Sequence, residues 1–508
     1  MLHRSIRLLA ACVAVSAVAY AITVSTAQFS NTRTGANASE TVLTQANVGG
    51  ISKLGTYAVD GKVYAQPLVI DGVSIGGATR VLVTVTMHNS VYAFDADRPN
   101  TSPLWTVNLG TSYPENGYPI INDFYHDEIG CLSTPVVDTG TNVIYAVCNI
   151  NGVNKIHALN LADGTAYHAA VTIAGSNNGV TFVSARHMFR PALTLLNGVV
   201  YAAASGYGDT DPYQGWVFGY DATTLTQTAI WCAVSTTTGG GGIWMSGGGI
   251  ASDGTDLFVS TGNGTFSANN YGTSFVRLSL LLAPLDYGTP ADYATINATD
   301  KDINSGHVMV IASSFILGGG KDGRYFLFEK ADLGQLEGVG PGPRQADNLG
   351  NSGANFGCTV FAGSGLIISS LNNSMRRFAW LGTLFNATPT AFGASPFAPG
   401  PACSYSSNAD GGGTGILWGV TPASSAFSTV VAGTLRAWNG TTLVELYNSG
   451  TVLGDALGSY AKFAMPTVAN GKVFVPTFSN VVAVYGFAPP MGSSVSGRSS
   501  VSGKVHIQ

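Results

Sequence analysis

Met465-Pro466-Thr467-Val468 runs through Asn470-Gly471 into Lys472-Val473-Phe474-Val475, and a short turn then leads to Val481-Val482-Ala483-Val484-Tyr485. Three apolar runs separated by tight-turn residues predict three antiparallel strands, with Asn-Gly as a two-residue hairpin turn. A unit of this kind wants a fourth strand. Lys53 to Val59 near the other end of the chain stands ahead of the first full repeat without a partner of its own. Pairing the two would close a ring and leave no raw sheet edge.

The same unit recurs along the chain. It opens on a small or Pro-containing strand start, continues into an aliphatic-aromatic strand, then an Ala/Gly-Tyr/Phe-Asp strand and a Gly/Thr turn. The first copy is Gln66–Ile70, Val81–Val85, Ser90–Asp95 and Leu104-Trp105. Further starts fall at Ser133, Arg190, Ser246, His307, Gly357, Trp418 and Met465, spaced about 46 to 67 residues apart. That period belongs to propeller blades rather than helical solenoids. Eight starts predict an all-β, eight-bladed propeller of four-stranded antiparallel blades, closed by the N-terminal strand. No segment after the first residues sustains a long 3.6-residue apolar period. The expected division is a signal peptide at 1–27, a flexible leader at 28–42, the propeller at 43–487 and a disordered Ser/Gly-rich tail at 488–508.

Composition agrees with many short strands. Charged residues make up only 10% of the 508 residues while Gly contributes 65, against a usual quarter charged. The net charge of −5 and the lack of a basic stripe argue against nucleic acid. His3, Arg4 and Arg7 precede an apolar run from Leu8 to Val24, and Ser25-Thr26-Ala27 offers a small-residue cleavage site. This reads as a secretory signal, which leaves no membrane span once cut; an uncleaved anchor is the alternative. Export permits disulfides. Without Cys12, five cysteines remain, so at least one thiol is free or paired outside the chain. Cys131 and Cys148 flank a predicted hairpin and would stand nearly opposite each other, either bridged or as two buried thiols. Seven Asn-x-Ser/Thr sites (Asn37, Asn100, Asn263, Asn297, Asn372, Asn386, Asn439) allow glycosylation.

Phe94-Asp95 running to Leu104-Trp105, repeated as Phe218-Gly219-Tyr220-Asp221 to Ile230-Trp231, resembles the quinoprotein repeat, whose Trp docks adjacent blades. Over residues 43–487 the chain resembles secreted eight-bladed proteins of the pyrroloquinoline-quinone (PQQ) repeat class. The resemblance is nearest to a branch with Gly215–Asp221, Gly242-Ile243-Trp244, Thr261-Gly262-Asn263-Gly264 and Gly319–Gly323. It implies a set of roles. Trp244 matches the floor on which a planar quinone stacks, and Trp418 a second Trp near the cofactor. Asn263 matches a calcium ligand, Asp302 the catalytic carboxylate beside that cation, and Lys321 a cation that polarises the quinone oxygen. Asp209 falls near the place of an acidic calcium ligand.

The departures from that pattern are as informative. The adjacent Cys-Cys pair is absent, with Cys131 alone in its neighbourhood. The Arg expected there is missing, and Tyr64 stands where a Glu is expected. Arg186, His187 and Arg190 at the next blade entrance are candidates to grip the anionic cofactor instead. Tyr125-His126-Asp127-Glu128 supplies ionisable groups before the second blade, read as a loop in preference to a metal site. No covalent haem motif occurs. The implied activity is oxidation of a small alcohol or sugar with PQQ and calcium, electrons passing to a separate acceptor. The rival expectation is a non-catalytic extracellular or periplasmic propeller binding glycan, polymer or protein.

Overall fold

A computed structural model describes residues 21–114, 127–208, 211–235, 239–350, 353–409 and 413–488. Eight antiparallel blades form a ring. From hub to rim, blade 1 is Leu68–Ile75, Ala78–Val85, Ser90–Asp95 and Trp105–Asn108, and blade 2 is Val136–Asp138, Val143–Ile150, Val153–Asn160 and Ala166–Thr172. Blade 3 is built on Thr194–Leu196, Val199–Gly206, Trp216–Asp221 and Gln227–Cys232, and blade 4 on Ala251–Ser252, Leu257–Ser260, Phe275–Leu278 and Pro284–Thr289. Blade 5 comprises Met309–Ile311, Phe315–Gly319, Tyr325–Glu329 and Gln345–Asp347, and blade 6 Asn355–Ala362, Gly365–Ser370, Arg376–Ala379 and Ala391–Phe392. Blade 7 comprises Cys403–Ser406, Ile416–Pro422, Ala432–Asn439 and Glu445–Asn448. Blade 8 takes Thr467–Ala469, Lys472–Pro476 and Val481–Gly486 from the C-terminal side and Ser52–Ala58 from the N-terminal side. That last strand pairs antiparallel with Val481–Gly486, Tyr57 opposite Val482, and closes the ring as the unpartnered repeat predicts. Tyr293–Ala298 is the one α-helix among the described residues.

Local chemistry explains the hairpins. Asn470-Gly471, Asn151-Gly152 and Asn197-Gly198 each place both residues at positive φ, at 55° and 76°, 49° and 85°, and 49° and 76°. Those are the angles a two-residue turn needs to match strand twist, and Asn and Gly reach them most easily. Blade-to-blade docking follows the repeat Trp: the Trp105 indole N–H donates to Leu161 O at 2.9 Å. Its ring lies so close to Gly164 that a Cβ there would sit 2.5 Å from it. Cys131 and Cys148 are bridged across 4.1 Å between Cα atoms, Cys403 is also disulfide-bonded, and Cys232 is a buried free thiol.

Two expectations need correction. The seventh blade does not begin at Trp418: its hub strand is Cys403–Ser406, and Trp418 stands opposite Ser404 on the second strand. Cys-Ser-Tyr-Ser carries no aliphatic run, so the pattern selected the next, apolar strand instead. The second concerns residues 28–42, expected as a flexible leader, which are packed into the hub. With the residues before them they make one full circuit of the inner strands. Asn470 Oδ1 accepts the Ile22 N–H in blade 8, and Val24 and Val69 exchange both backbone hydrogen bonds in blade 1. Val137 N–H donates to Ser25 O in blade 2. Asn31 reaches Leu195 O in blade 3 and accepts from Ser252 N–H in blade 4. Thr32, Thr34 and Gly35 carbonyls accept from Val310, Phe361 and Tyr405 in blades 5, 6 and 7. Asn37 and Glu40 return to Val468 and Gly471 in blade 8. Inner strands of a ring leave one edge of backbone groups facing the hub, and this segment satisfies them.

Arg33 anchors the circuit. It is fully buried at φ 59°, a left-handed backbone that a non-glycine residue adopts only when its surroundings enforce it. All five of its N–H groups are used: Nε on Ile250 O, Nη1 on Thr26 Oγ1 and Ala27 O, Nη2 on Leu193 O and Thr194 Oγ1. Burial draws its pKa down to about 9. The expected signal segment as far as residue 20, and all but the first residue of the expected tail, lie outside the described residues, as do Tyr125 and His126.

Candidate functional site at the mouth of the ring

At one end of the hub, connections that enter blades 3, 4 and 5 meet. Trp244 lies on the connection into blade 4, Asn263 just after that blade's second strand, Asp302 on the connection into blade 5, and Lys321 in that blade's second turn. The Asp302 side chain is 4% exposed. One of its oxygens accepts the Asn263 backbone N–H at 2.8 Å, and the other lies 2.7 Å from Lys321 Nζ. Lys321 Nζ also contacts both oxygens of Asp300, at 3.0 and 3.2 Å, and Asn263 Nδ2 donates to Asp300 at 3.0 Å. Burial works to lower the Lys321 pKa, but the two carboxylates outweigh it and the net shift is upward.

Trp244 joins this group at Gly262. A Cβ on Gly262 would meet Asp302 Oδ1 at 2.5 Å and Trp244 Nε1 at 2.9 Å, so only glycine lets the indole edge and the carboxylate come together. Asn304 ties the same loops, donating at 2.8 Å to Gly242 O and at 2.8 Å to Ser260 O. Met245 and Ser246, directly after Trp244, sit at φ 46° and 36°. They are held by the Met245 N–H on Asn304 O and the Ser246 hydroxyl on Ser305 O. Strained backbone of this kind persists where neighbouring structure over-determines it, and it fixes Trp244 relative to Asp302.

Arg190 completes the arrangement. Its Nε donates to Trp244 O at 3.0 Å, and its guanidinium lies 5.5 Å from the Trp244 ring centroid and 4.9 Å from that of Phe463. Tyr213 meets Trp244 edge-on at 5.8 Å between centroids, and Tyr64 packs on Phe478 at 4.5 Å. The indole is therefore only 7% exposed. Asn263 Oδ1 and Trp244 Nε1 are buried here without a hydrogen-bond partner, as are thirteen other side-chain atoms among the described residues.

The remaining expected site residues separate. Trp418 is wholly buried between blades 7 and 8, its indole N–H on Ser406 Oγ, and takes no part in the mouth. Its displacement follows from the one-strand shift in blade 7. Asp209 lies outside the described residues. His187 is structural: Nδ1 pairs with Val183 O at 2.7 Å and Nε2 accepts the Gln214 N–H, while burial lowers its pKa to about 4. Arg186 makes one long contact, 3.5 Å to Pro212 O. Among the described residues no three His, Cys, Asp or Glu side chains gather as a metal cluster. A recess of about 570 Å³ lies elsewhere, between the two ends of the hub circuit, and is lined by Ile22, Val24, Ala36 and Asn408 among others.

Sequence reasoning missed Asp300, Asn304 and Phe463. Asp300 carried a signal, an acid two residues before Asp302; Asn304 and Phe463 acquire their places only through loop packing. Asn37 and Asn263, both glycan acceptors by sequence, have their amide nitrogens engaged on Val468 O and Asp300.

No protein-family model matches the chain, and no curated protein matches it. Solved structures do. A quinohaemoprotein alcohol dehydrogenase from Pseudomonas putida HK5 superposes with a TM-score of 0.62 at 13% identity, covering 92% of this chain and 80% of that one. The quinohaemoprotein alcohol dehydrogenase of Comamonas testosteroni gives 0.56 at 15%, covering 93% and 82%. BamB from Moraxella catarrhalis gives 0.51 at 11%, covering 86% and 100%. At these identities the likeness establishes the fold: this chain has the eight-bladed ring found in quinoprotein dehydrogenases and in BamB.

Proposed function

We propose that the mouth site is the centre of a secreted quinoprotein-like oxidoreductase, which oxidises a small alcohol or sugar with PQQ and calcium. The observation that carries this reading is the meeting of Trp244, Asn263, Asp302 and Lys321 around Gly262 from separate loops. Asn263 Oδ1, buried and unpartnered, and the Asp302 carboxylate are hard oxygen donors of the kind calcium takes. Trp244 would supply the flat apolar floor, and Arg190 a cation for the cofactor's carboxylates. Bound there, PQQ would supply an acceptor for the hydride of the carbinol carbon. Asp302 would take the hydroxyl proton, and Lys321 would stabilise negative charge developing beside it. With no covalent haem motif in the sequence, a separate acceptor would take up the two electrons. The Cys131–Cys148 bridge and the bonded Cys403 support an oxidising compartment outside the cytoplasm.

The fit is partial at the stacking surface. Arg190 lies over the indole, so a quinone needs the guanidinium to swing aside. That contact favours a second reading, a non-catalytic propeller that binds glycan, polymer or protein. A dye-linked assay with alcohols and sugars, after incubation with PQQ and calcium, separates the two. Turnover that Asp302→Asn abolishes supports the enzyme; a folded wild-type protein without turnover on either substrate class supports the binding module.

A further inference from the structure

We infer that the signal segment is removed ahead of Ile22, leaving Ile22–Ala27 on the mature chain, and not after Ala27. Ile22–Ala27 are the first part of the hub circuit, the part that serves blades 8, 1 and 2. Ile22 N–H donates to Asn470 Oδ1 at 3.0 Å, and its carbonyl accepts from Asn470 Nδ2 at 2.9 Å. Val24 and Val69 are joined by hydrogen bonds of 2.7 and 3.1 Å, and Ser25 O accepts from Val137 N–H at 2.9 Å. Asp71 N–H donates to Thr23 Oγ1 at 3.0 Å.

A cut after Ala27 would remove all of these. It would also take both acceptors of Arg33 Nη1, Thr26 Oγ1 at 2.9 Å and Ala27 O at 2.6 Å, from a guanidinium that is 0% exposed. Buried donors left without partners are costly. The new α-ammonium would appear on Gln28, which is 1% exposed with Ile22–Ala27 in place. Its N–H there faces only the neutral Gln66 Oε1, and its side chain meets His307, whose pKa burial lowers to about 4. A charge generated in such a place has no counter-ion.

Cleavage a few residues earlier avoids every one of these losses. Ala17-Val18-Ala19 and Ala19-Tyr20-Ala21 each satisfy the small-x-small requirement. A cut after Ala19 puts the amine on the residue preceding exposed Ala21, and a cut after Ala21 puts it on Ile22, whose N–H already has Asn470 Oδ1 as its acceptor at 3.0 Å. The apolar run then reads Leu8–Ala19, twelve residues, a length proper to a signal segment and too short to span a bilayer. The alternation of exposed Ala21 and Thr23 with buried Ile22 and Val24 is that of an edge strand and not of a signal core. In the reaction a signal peptidase hydrolyses one peptide bond. Water adds, the leader leaves with a new carboxylate on Ala19 or Ala21, and the mature chain keeps an α-ammonium on Tyr20 or Ile22.

The test is the N-terminus of the full-length chain secreted from a host with signal peptidase, read by intact mass and terminal sequencing. A start at Tyr20 or Ile22 is expected. A start at Gln28, or an uncut Met1, would overturn the inference. Ala19→Leu/Ala21→Leu, which spoils both early sites, should leave the leader attached; continued release with a start at Gln28 would again overturn it. Finally, a chain made to begin at Gln28 behind a foreign cleavable leader should unfold at a lower temperature than one beginning at Ile22. Equal midpoints would show that the six residues contribute nothing to the ring. None of these readouts involves a cofactor, so they stand apart from the fate of the proposed activity.

Discussion

The Lys321 ammonium stands 2.7 Å from one oxygen of Asp302, while the other oxygen of that carboxylate accepts the Asn263 N–H at 2.8 Å. Asp302 is therefore fixed from both sides. Asp302→Asn keeps the shape but removes the charge, so Lys321 retains only the exposed Asp300 as partner. We expect a loss of about 1.5–3 kcal/mol in stability, the range for buried hydrogen bonds to charged groups, measured by denaturant unfolding. The sign with pH follows from the raised Lys321 pKa. The pair's contribution is complete at neutral pH and is lost only as pH climbs above 10.5, the ordinary lysine value. A wild-type stability that falls between pH 8 and 10 through this pair would contradict it.

Gly262→Ala tests the close approach directly. The added Cβ would stand 2.5 Å from Asp302 and 2.9 Å from Trp244, and one of them must move. A destabilisation of about 1–3 kcal/mol is expected from overpacking, with a changed near-ultraviolet circular dichroism signal from the displaced indole. An unchanged spectrum would mean that the two residues are not held together as described.

Arg190 has two opposed expected behaviours, and one variant distinguishes them. If its guanidinium grips an anionic cofactor, Arg190→Ala weakens PQQ binding by tenfold or more, about 1.4 kcal/mol. If it only covers Trp244, the same variant bares the indole and binding improves. Calorimetric titration of PQQ into both proteins reads the difference, and weakening is expected.

Acid should act through buried imidazoles. His187 and His307 have pKa values lowered by burial to about 4, from an ordinary 6.5. Their neutral forms belong to the fold, so their contribution is present above pH 6.5 and is lost as pH falls towards 4. Each accounts for up to roughly 3 kcal/mol across that window. A thermal midpoint that drops steeply between pH 6.5 and 4, and less steeply in His307→Gln, is expected. A flat profile would contradict neutral burial.

Much of the ring could be read from the chain because blades repeat their turn chemistry. Asn-Gly pairs, Phe/Tyr-Asp strand ends and Trp105 on Gly164 are local signals with local causes. Closure was legible because Lys53–Val59 had no other strand to join. Blade 7 was misplaced by one strand because Cys403–Ser406 draws its order from the chain lying beside it in the hub, not from its own apolarity. The hub circuit was hidden for the same reason. Asn31, Thr32, Thr34 and Gly35 are polar and small, the composition of a loose leader, yet their carbonyls and amides are what eight inner strands need. At the mouth, Trp244, Asn263, Asp302 and Lys321 follow short motifs. Arg190 over Trp244, and Asn304 beneath both loops, depend on packing between connections far apart in sequence.

A quinone site at this mouth is tested by a PQQ titration of the mature protein, with and without calcium, following tryptophan fluorescence. Saturable, calcium-dependent quenching that Trp244→Ala abolishes is expected. The absence of quenching at micromolar PQQ, in protein shown to be folded, would contradict a quinone site at this mouth.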